Sequence, residues 1–214
     1  MTQMSTSDKA RFISFEGIDG SGKSTQATLF LDRLIQQGKE GILVREPGGT
    51  PISEAIRHVL LTKGNRQMVA RTEALLMTAS RSQLTKEVIL PNLEQDRWVI
   101  ADRYADSTLA YQGGGRELNL DLLQDLNKFA TYDLEPNITF VIDILPKEAF
   151  RRRGQTEDRI EEEGIAFQKQ VRRTYLELAQ QYSDRIIVID GHMGREIIQD
   201  NIWDEIKRRY FLTQ

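Results

Sequence analysis

The sequence predicts a three-layer α/β/α fold with a five-stranded parallel sheet, on three observations. Five short runs are rich in β-branched or aromatic residues, segments of helical period alternate with them, and a glycine-rich loop stands between the first strand and the first helix. The runs are Phe12 to Glu16, Ile42 to Arg45, Trp98 to Asp102, Ile138 to Asp143 and Ile186 to Asp190. Most are apolar at successive positions, as expected of strands covered on both faces by helices. Several end in Glu or Asp, which puts acids at the strand ends where ligands of doubly wound sheets gather.

The helices follow in order. Ala27, Phe30, Leu31, Leu34 and Ile35 mark one face of a first helix, which Gly38 can end in a left-handed cap. Later segments of helical period run from about 53 to 62, 70 to 94, 120 to 131, 165 to 183 and 195 to 209. With 214 residues and no visible linker, residues 10–214 are expected to form one domain after a floppy leader, residues 1–9. The net charge of −3 provides no basic stripe for a nucleic-acid polymer. The chain has no cysteine, which excludes disulfides and thiolate catalysis and fits a reducing cytoplasm. The apolar runs are strand-sized, so neither a signal peptide nor a membrane span is expected. His58 and His192 show no metal-ligand spacing and read as structural or surface residues.

The loop carries the chemistry. Gly17-Ile18-Asp19-Gly20-Ser21-Gly22-Lys23-Ser24 matches the phosphate-loop pattern G-x-x-x-x-G-K-[ST] in its proper strand-to-helix setting. Its glycines let backbone N–H groups turn toward phosphate oxygens at the positive end of a helix. Lys23 supplies a cation, and the Ser24 hydroxyl can reach Mg²⁺. The expected fold is therefore that of the P-loop NTPases. Fold and loop do not fix function. A guanine-reading N-K-x-D is absent, since Asn127-Lys128 continues into Phe129-Ala130. Arg103 follows Asp102 directly after the third strand, where an arginine fork suits a phosphate and the acid suits a Mg²⁺-bound water.

Four segments resemble the bacterial thymidylate kinases over nearly the whole chain: Phe15 to Thr25, Arg45-Glu46-Pro47-Gly48-Gly49-Thr50 with Arg57 downstream, Asp102 to Arg116, and Asp158-Arg159-Ile160-Glu161. The resemblance implies transfer of the γ-phosphoryl group of ATP-Mg²⁺ to dTMP by a homodimer, with ATP held from Gly17 through Thr25. It implies Asp19 near the sugar 3′-hydroxyl, Arg57 and Arg103 on the acceptor phosphate, and Glu46 beside that phosphate or its metal-bound waters. It also implies Arg81, Thr108 and Gln112 at the thymine edge and Tyr111 against sugar C2′. Relatives commonly carry Phe where this chain has Met77, a softer and more mobile cover for a ring.

The polar run from Arg151 to Arg159 reads either as a solvated helix end or as part of a small helical lid, about residues 150–164, that closes over ATP. The family carries its catalytic lid-type arginine in the phosphate loop or in the lid. This phosphate loop has no arginine, so the catalytic role is assigned to Arg153, with Arg152 and Arg159 as alternatives for it and as expected ATP-binding residues. The segment Asp190 to Gly194 falls where related kinases loop around adenine, and part of residues 70–90 is expected at the dimer interface. Gly113 to Gly115 read as a turn that brings backbone close to the acceptor pocket, or as plain loop flexibility. A kinase for another monophosphate such as dUMP, and a nucleotide-dependent switch, are the alternative functions.

Overall fold

The computed structural model describes residues 11–154 and 158–211. The predicted leader, residues 1–9, lies outside the described residues, as do residues 155–157 of the predicted lid. Five parallel strands, β1 (Phe12–Glu16), β2 (Gly41–Arg45), β3 (Trp98–Asp102), β4 (Ile138–Asp143) and β5 (Ile186–Asp190), lie in the order β2-β3-β1-β4-β5. Every predicted strand is present, with only β2 starting one residue earlier than expected. β1 is buried throughout, and β3 and β4 are buried at all but their last residue, whereas β2 and β5 alternate toward solvent. The difference is positional: an edge strand has one neighbour and less cover.

Helix α1 (Lys23–Gln36) and helix α9 (Arg195–Ile206) cover one face, where Phe30, Leu34, Ile202 and Trp203 meet Ile13, Phe15, Ile100 and Phe140. Gly38 follows α1 at φ 74°, the predicted left-handed stop. The other face carries α3 (Ala70–Leu84), α6 (Leu120–Thr131) and α8 (Ile165–Gln181), with Ala74, Leu123, Val171 and Tyr175 in its core. The helix expected from 70 to 94 loosens into a π-helical turn at Thr85–Ile89 and resumes as α4 (Leu90–Glu94). Pro91, without an N–H to donate, stands just beyond that turn.

Two helices lie outside the predicted segments of helical period, although a helix end was one reading of the run from Arg151. α5 (Ala105–Thr108) continues into a π-helical turn, Leu109–Gly115, and α7 (Pro146–Arg153) ends in the three arginines. The structure corrects the reading of Gly113 to Gly115. They belong to that helical turn and pack against neighbouring elements rather than bringing backbone to the pocket. A Cβ at Gly114 would lie 2.0 Å from Thr174 Oγ1 of α8, and one at Gly115 would lie 2.4 Å from Phe167. α2 (Pro51–Leu61) is capped by Thr50, whose hydroxyl accepts from Ser53 N.

Candidate active site

Parallel pairing sets Phe15 level with Asp102 and Phe140, so the ends of β1, β3 and β4 share one rim. The phosphate loop leaves β1 there and curls back tightly. Gly17 and Gly20 take φ 138° and 86°, and a Cβ on them would lie 2.6 Å from Ile142 O and 2.4 Å from Ala149 O. Only glycine fits either position. Gly22 begins α1 in the left-handed region with no side-chain cap, which leaves the first helical N–H groups to face the loop. Ile18 points into the core, while Thr25 is exposed.

One cleft opens over this rim. Asp19, Gly20, Lys23 and Ser24 line the phosphate-loop side, and Glu46, Arg57, Met77, Arg81, Thr108 and Gln112 line the remainder. Arg103 and Tyr111, both bonded to Asp19, line it together with Asp102, and Arg153 reaches in from α7. Sequence-predicted residues from five separate segments thus meet around one space. Among the predicted arginines, two go elsewhere. Arg152 donates to Gly191 O at 2.9 Å and to Glu148 at 2.5 Å, which ties α7 to the loop after β5. Arg159 is buried against Glu73, with Nη2 2.6 Å from Oε2, and does not line the cleft.

The centre is a charge network. Arg103 adopts φ 74°, a strained conformation for a side-chain-bearing residue. Its Nη2 donates to Asp19 at 2.5 Å and to Tyr111 Oη at 2.8 Å, and Tyr111 donates to the other Asp19 oxygen at 3.0 Å. Lys23 Nζ lies 3.6 Å from Asp19. Burial opposes ionisation of Asp19, but Arg103 and Lys23 outweigh it and hold the carboxyl well below the usual range. Burial and the nearby Arg103 pull the Lys23 ammonium below its ordinary value.

At the far end, Arg81 is 2% exposed and fully engaged. It donates to Glu46, Thr108, Asn127 and Tyr104 O, a rigid setting for a guanidinium. Glu46 Oε1 is buried with no hydrogen-bond partner among the described residues, and burial pushes its carboxyl up to about 7 although Arg81 draws it down. Arg57 donates to Pro47 O at 2.8 Å. Arg153 donates Nη2 to Glu161 O at 3.1 Å, and its Nε and Nη1 are buried with no hydrogen-bond partner among the described residues.

Sequence reasoning missed the residues underneath. Glu16, fully buried at the end of β1, accepts from Tyr104 N, Ser107 Oγ and Tyr175 Oη, and so braces the turn that carries Arg103. Burial, with the neighbouring Asp106, raises its carboxyl above the usual value. Its position as an acid ending a strand was a visible signal. Glu73 and Tyr175 gave none, since each is an ordinary polar residue of a helix, and Arg116, although it closes a segment that carries the family resemblance, was given no role.

A phosphate loop confronting arginines across a single cleft, at the rim of this sheet, defines a P-loop phosphotransferase. The sequence profile described as Thymidylate kinase matches residues 15–202. The chain is 50% identical over 198 residues to the thymidylate kinase of Thermosipho melanesiensis, covering 92% of this chain and 96% of that protein. It is 46% identical over 196 residues to that of Kosmotoga olearia, covering 91% and 94%. Against that of Magnetococcus marinus it is 39% identical over 208 residues, covering 96% and 99%. The chain belongs to the thymidylate kinase family, and it is a nucleotide-binding phosphotransferase. No helix among the described residues is long and apolar enough to cross a membrane.

Proposed function

We propose that this protein moves the γ-phosphoryl group of ATP, bound with Mg²⁺, onto dTMP to give dTDP. The observation that carries the reading is that one cleft is lined both by Lys23 and Ser24 of the phosphate loop and by Arg81, Thr108 and Gln112. A phosphate acceptor is already anionic, so the reaction needs neutralisation of repelling oxygens more than it needs a general base. Arg57 and Arg103 hold the acceptor phosphate, and Lys23 and the phosphate-loop N–H groups hold the donor. Arg153 meets the transferring group with its unpaired N–H groups. Asp19 faces the sugar 3′-hydroxyl, Tyr111 packs on C2′ and disfavours a ribose hydroxyl, and Met77 covers the base. Glu46 sits beside the acceptor phosphate.

The residues present fit a Mg²⁺ ion. Asp102 Oδ1 is buried with no hydrogen-bond partner among the described residues, the Ser24 side chain is exposed to the cleft, and both are hard oxygen donors. Ser24 and Asp102 would hold the ion, which when bound neutralises and orients the donor's phosphate oxygens. The tie from Arg152 to Gly191 supports an adenine site in the loop after β5.

We assign residues 10–214 to one domain with a lid at about 150–164. The arginine-free phosphate loop and the buried, unpaired N–H groups of Arg153 support the subgroup that carries its catalytic arginine in the lid. The exposed apolar side chains of Ile52, Leu75, Leu122 and Phe129, on α2, α3 and α6, support a homodimer through that face. Its nucleotide substrates favour the cytoplasm.

The test is ADP release with ATP and Mg²⁺ against dTMP, dUMP, dGMP, dCMP and AMP. Strong stimulation by dTMP is expected. Preference for another monophosphate would overturn the base assignment, and slow turnover indifferent to every acceptor would favour a nucleotide-dependent switch.

A further inference from the structure

Beneath the base end of the cleft lies a buried carboxylate that no motif singles out. Glu73, in the first turn of α3, is 1% exposed and stands one and two helical turns before Met77 and Arg81 on the same helix stripe. Its Oε1 accepts from Gln112 Nε2 at 3.0 Å and from Arg116 Nε at 3.1 Å. Its Oε2 accepts from Arg116 Nη2 at 3.1 Å and from Arg159 Nη2 at 2.6 Å. Burial opposes ionisation, but Arg116 and the other donors outweigh it, and the carboxyl stays below its usual range. Glu73 is therefore an acceptor only.

This decides the orientation of Gln112. A glutamine amide has one donating end and one accepting end, and an acceptor-only partner can be met by the NH₂ alone. With Nε2 drawn to Glu73, Oε1 is left for the cleft that Gln112 lines. The flipped amide would set its carbonyl against a buried carboxylate, where low polarity makes repulsion costly. Arg116 and Arg159 keep that carboxylate charged and in place.

We propose that Glu73 is a specificity-determining positioning residue: by holding the Gln112 amide in one orientation, it makes the cleft select bases with a hydrogen on N3 over cytosine. Thymine and uracil donate from N3, whereas cytosine carries a lone pair there. A fixed amide oxygen accepts from the first two and repels the third. The inference rests on the reading of this cleft as the acceptor-nucleotide site.

The experiment is steady-state kinetics of Glu73→Gln with dTMP, dUMP and dCMP. A neutral Gln at position 73 can pair with either end of Gln112, so the preference for dTMP over dCMP in kcat/KM is expected to fall about 10-fold or more. The change should enter mainly through KM for dCMP, and the preference for dTMP over dUMP should stay unchanged. Damaged packing alone would slow all three together and move neither ratio. Gln112→Ala should relax the same ratio, and adding Glu73→Gln to it should bring no further change. If Glu73→Gln does not fold, Glu73→Asp replaces it; the shorter, still charged side chain should lower the dCMP discrimination partway. A folded Glu73 variant with the wild-type ratio, or effects of Gln112→Ala and Glu73→Gln that add, would overturn the proposal. Wild-type protein that ignores dTMP would instead overturn the proposed function itself.

Discussion

Arg153 and Glu46 show how single side chains are held in readiness in the cleft. Arg153 packs its guanidinium 4.6 Å over the Phe150 ring and donates Nη2 to Glu161 O, while its Nε and Nη1 are buried with no hydrogen-bond partner among the described residues. Arg153→Ala is expected to retain ATP binding while turnover falls on the order of 100-fold or more, measured by ATP titration beside single-turnover assays. Unchanged turnover would move the role to another arginine. Glu46 titrates. Its carboxyl rises from the ordinary 4.5 to about 7 because burial outweighs the pull of Arg81. Between these values the folded protein keeps a proton that the unfolded chain has lost. Its contribution to stability is thus greatest below about 4.5 and declines as pH rises to about 7, after which it is flat. Thermal melts across that window should show Glu46→Gln losing less stability than the wild type as pH rises. Parallel curves would mean that Glu46 does not titrate there.

Among the elements, the helical turn Leu109–Gly115 and α8 are pressed together more closely than side chains permit at Gly114 and Gly115, while Gly113 meets Leu120 of α6 in the same way. Gly114→Ala must displace Thr174 of α8, where even the Cβ–Cβ approach would be 2.8 Å. Overpacking of this kind costs about 1–3 kcal/mol, so a clear fall in Tm is expected. At exposed Gly64 a Cβ would meet only Thr62 Cγ2, at an ordinary 3.7 Å, and Gly64→Ala should change stability by at most about 0.5 kcal/mol. Equal effects at both positions would show that close packing is not the constraint. Because the same turn carries Tyr111 and Gln112, Gly114→Ala should also raise KM for the acceptor. The strands were legible in the sequence because their apolar runs are local. The helix at 105–115 was not, because Gly113-Gly114-Gly115 resembles a loop unless the neighbouring α8 is known.

For the molecule as a whole, the exposed apolar side chains on α2, α3 and α6 are the feature with the largest consequence. Phe129 is 84% exposed, an unfavourable place for an aromatic ring unless a partner covers it. Sedimentation should find the wild type dimeric, and Phe129→Glu should shift it toward monomer with unchanged helical content. A dimer that withstands this substitution would place the interface elsewhere. The sequence by itself determined the alternation of strands and helices, the phosphate loop with Lys23 and Ser24, and the strand-ending Asp102-Arg103, because periodicity and contiguous motifs are written into neighbouring residues. Only the tertiary structure decided the strand order, the burial of Arg159 on Glu73 rather than along the cleft, and the bracing of Arg103 by Glu16 and Tyr175. Those contacts join residues 72 to 159 positions apart, and the packing of whole layers selects them.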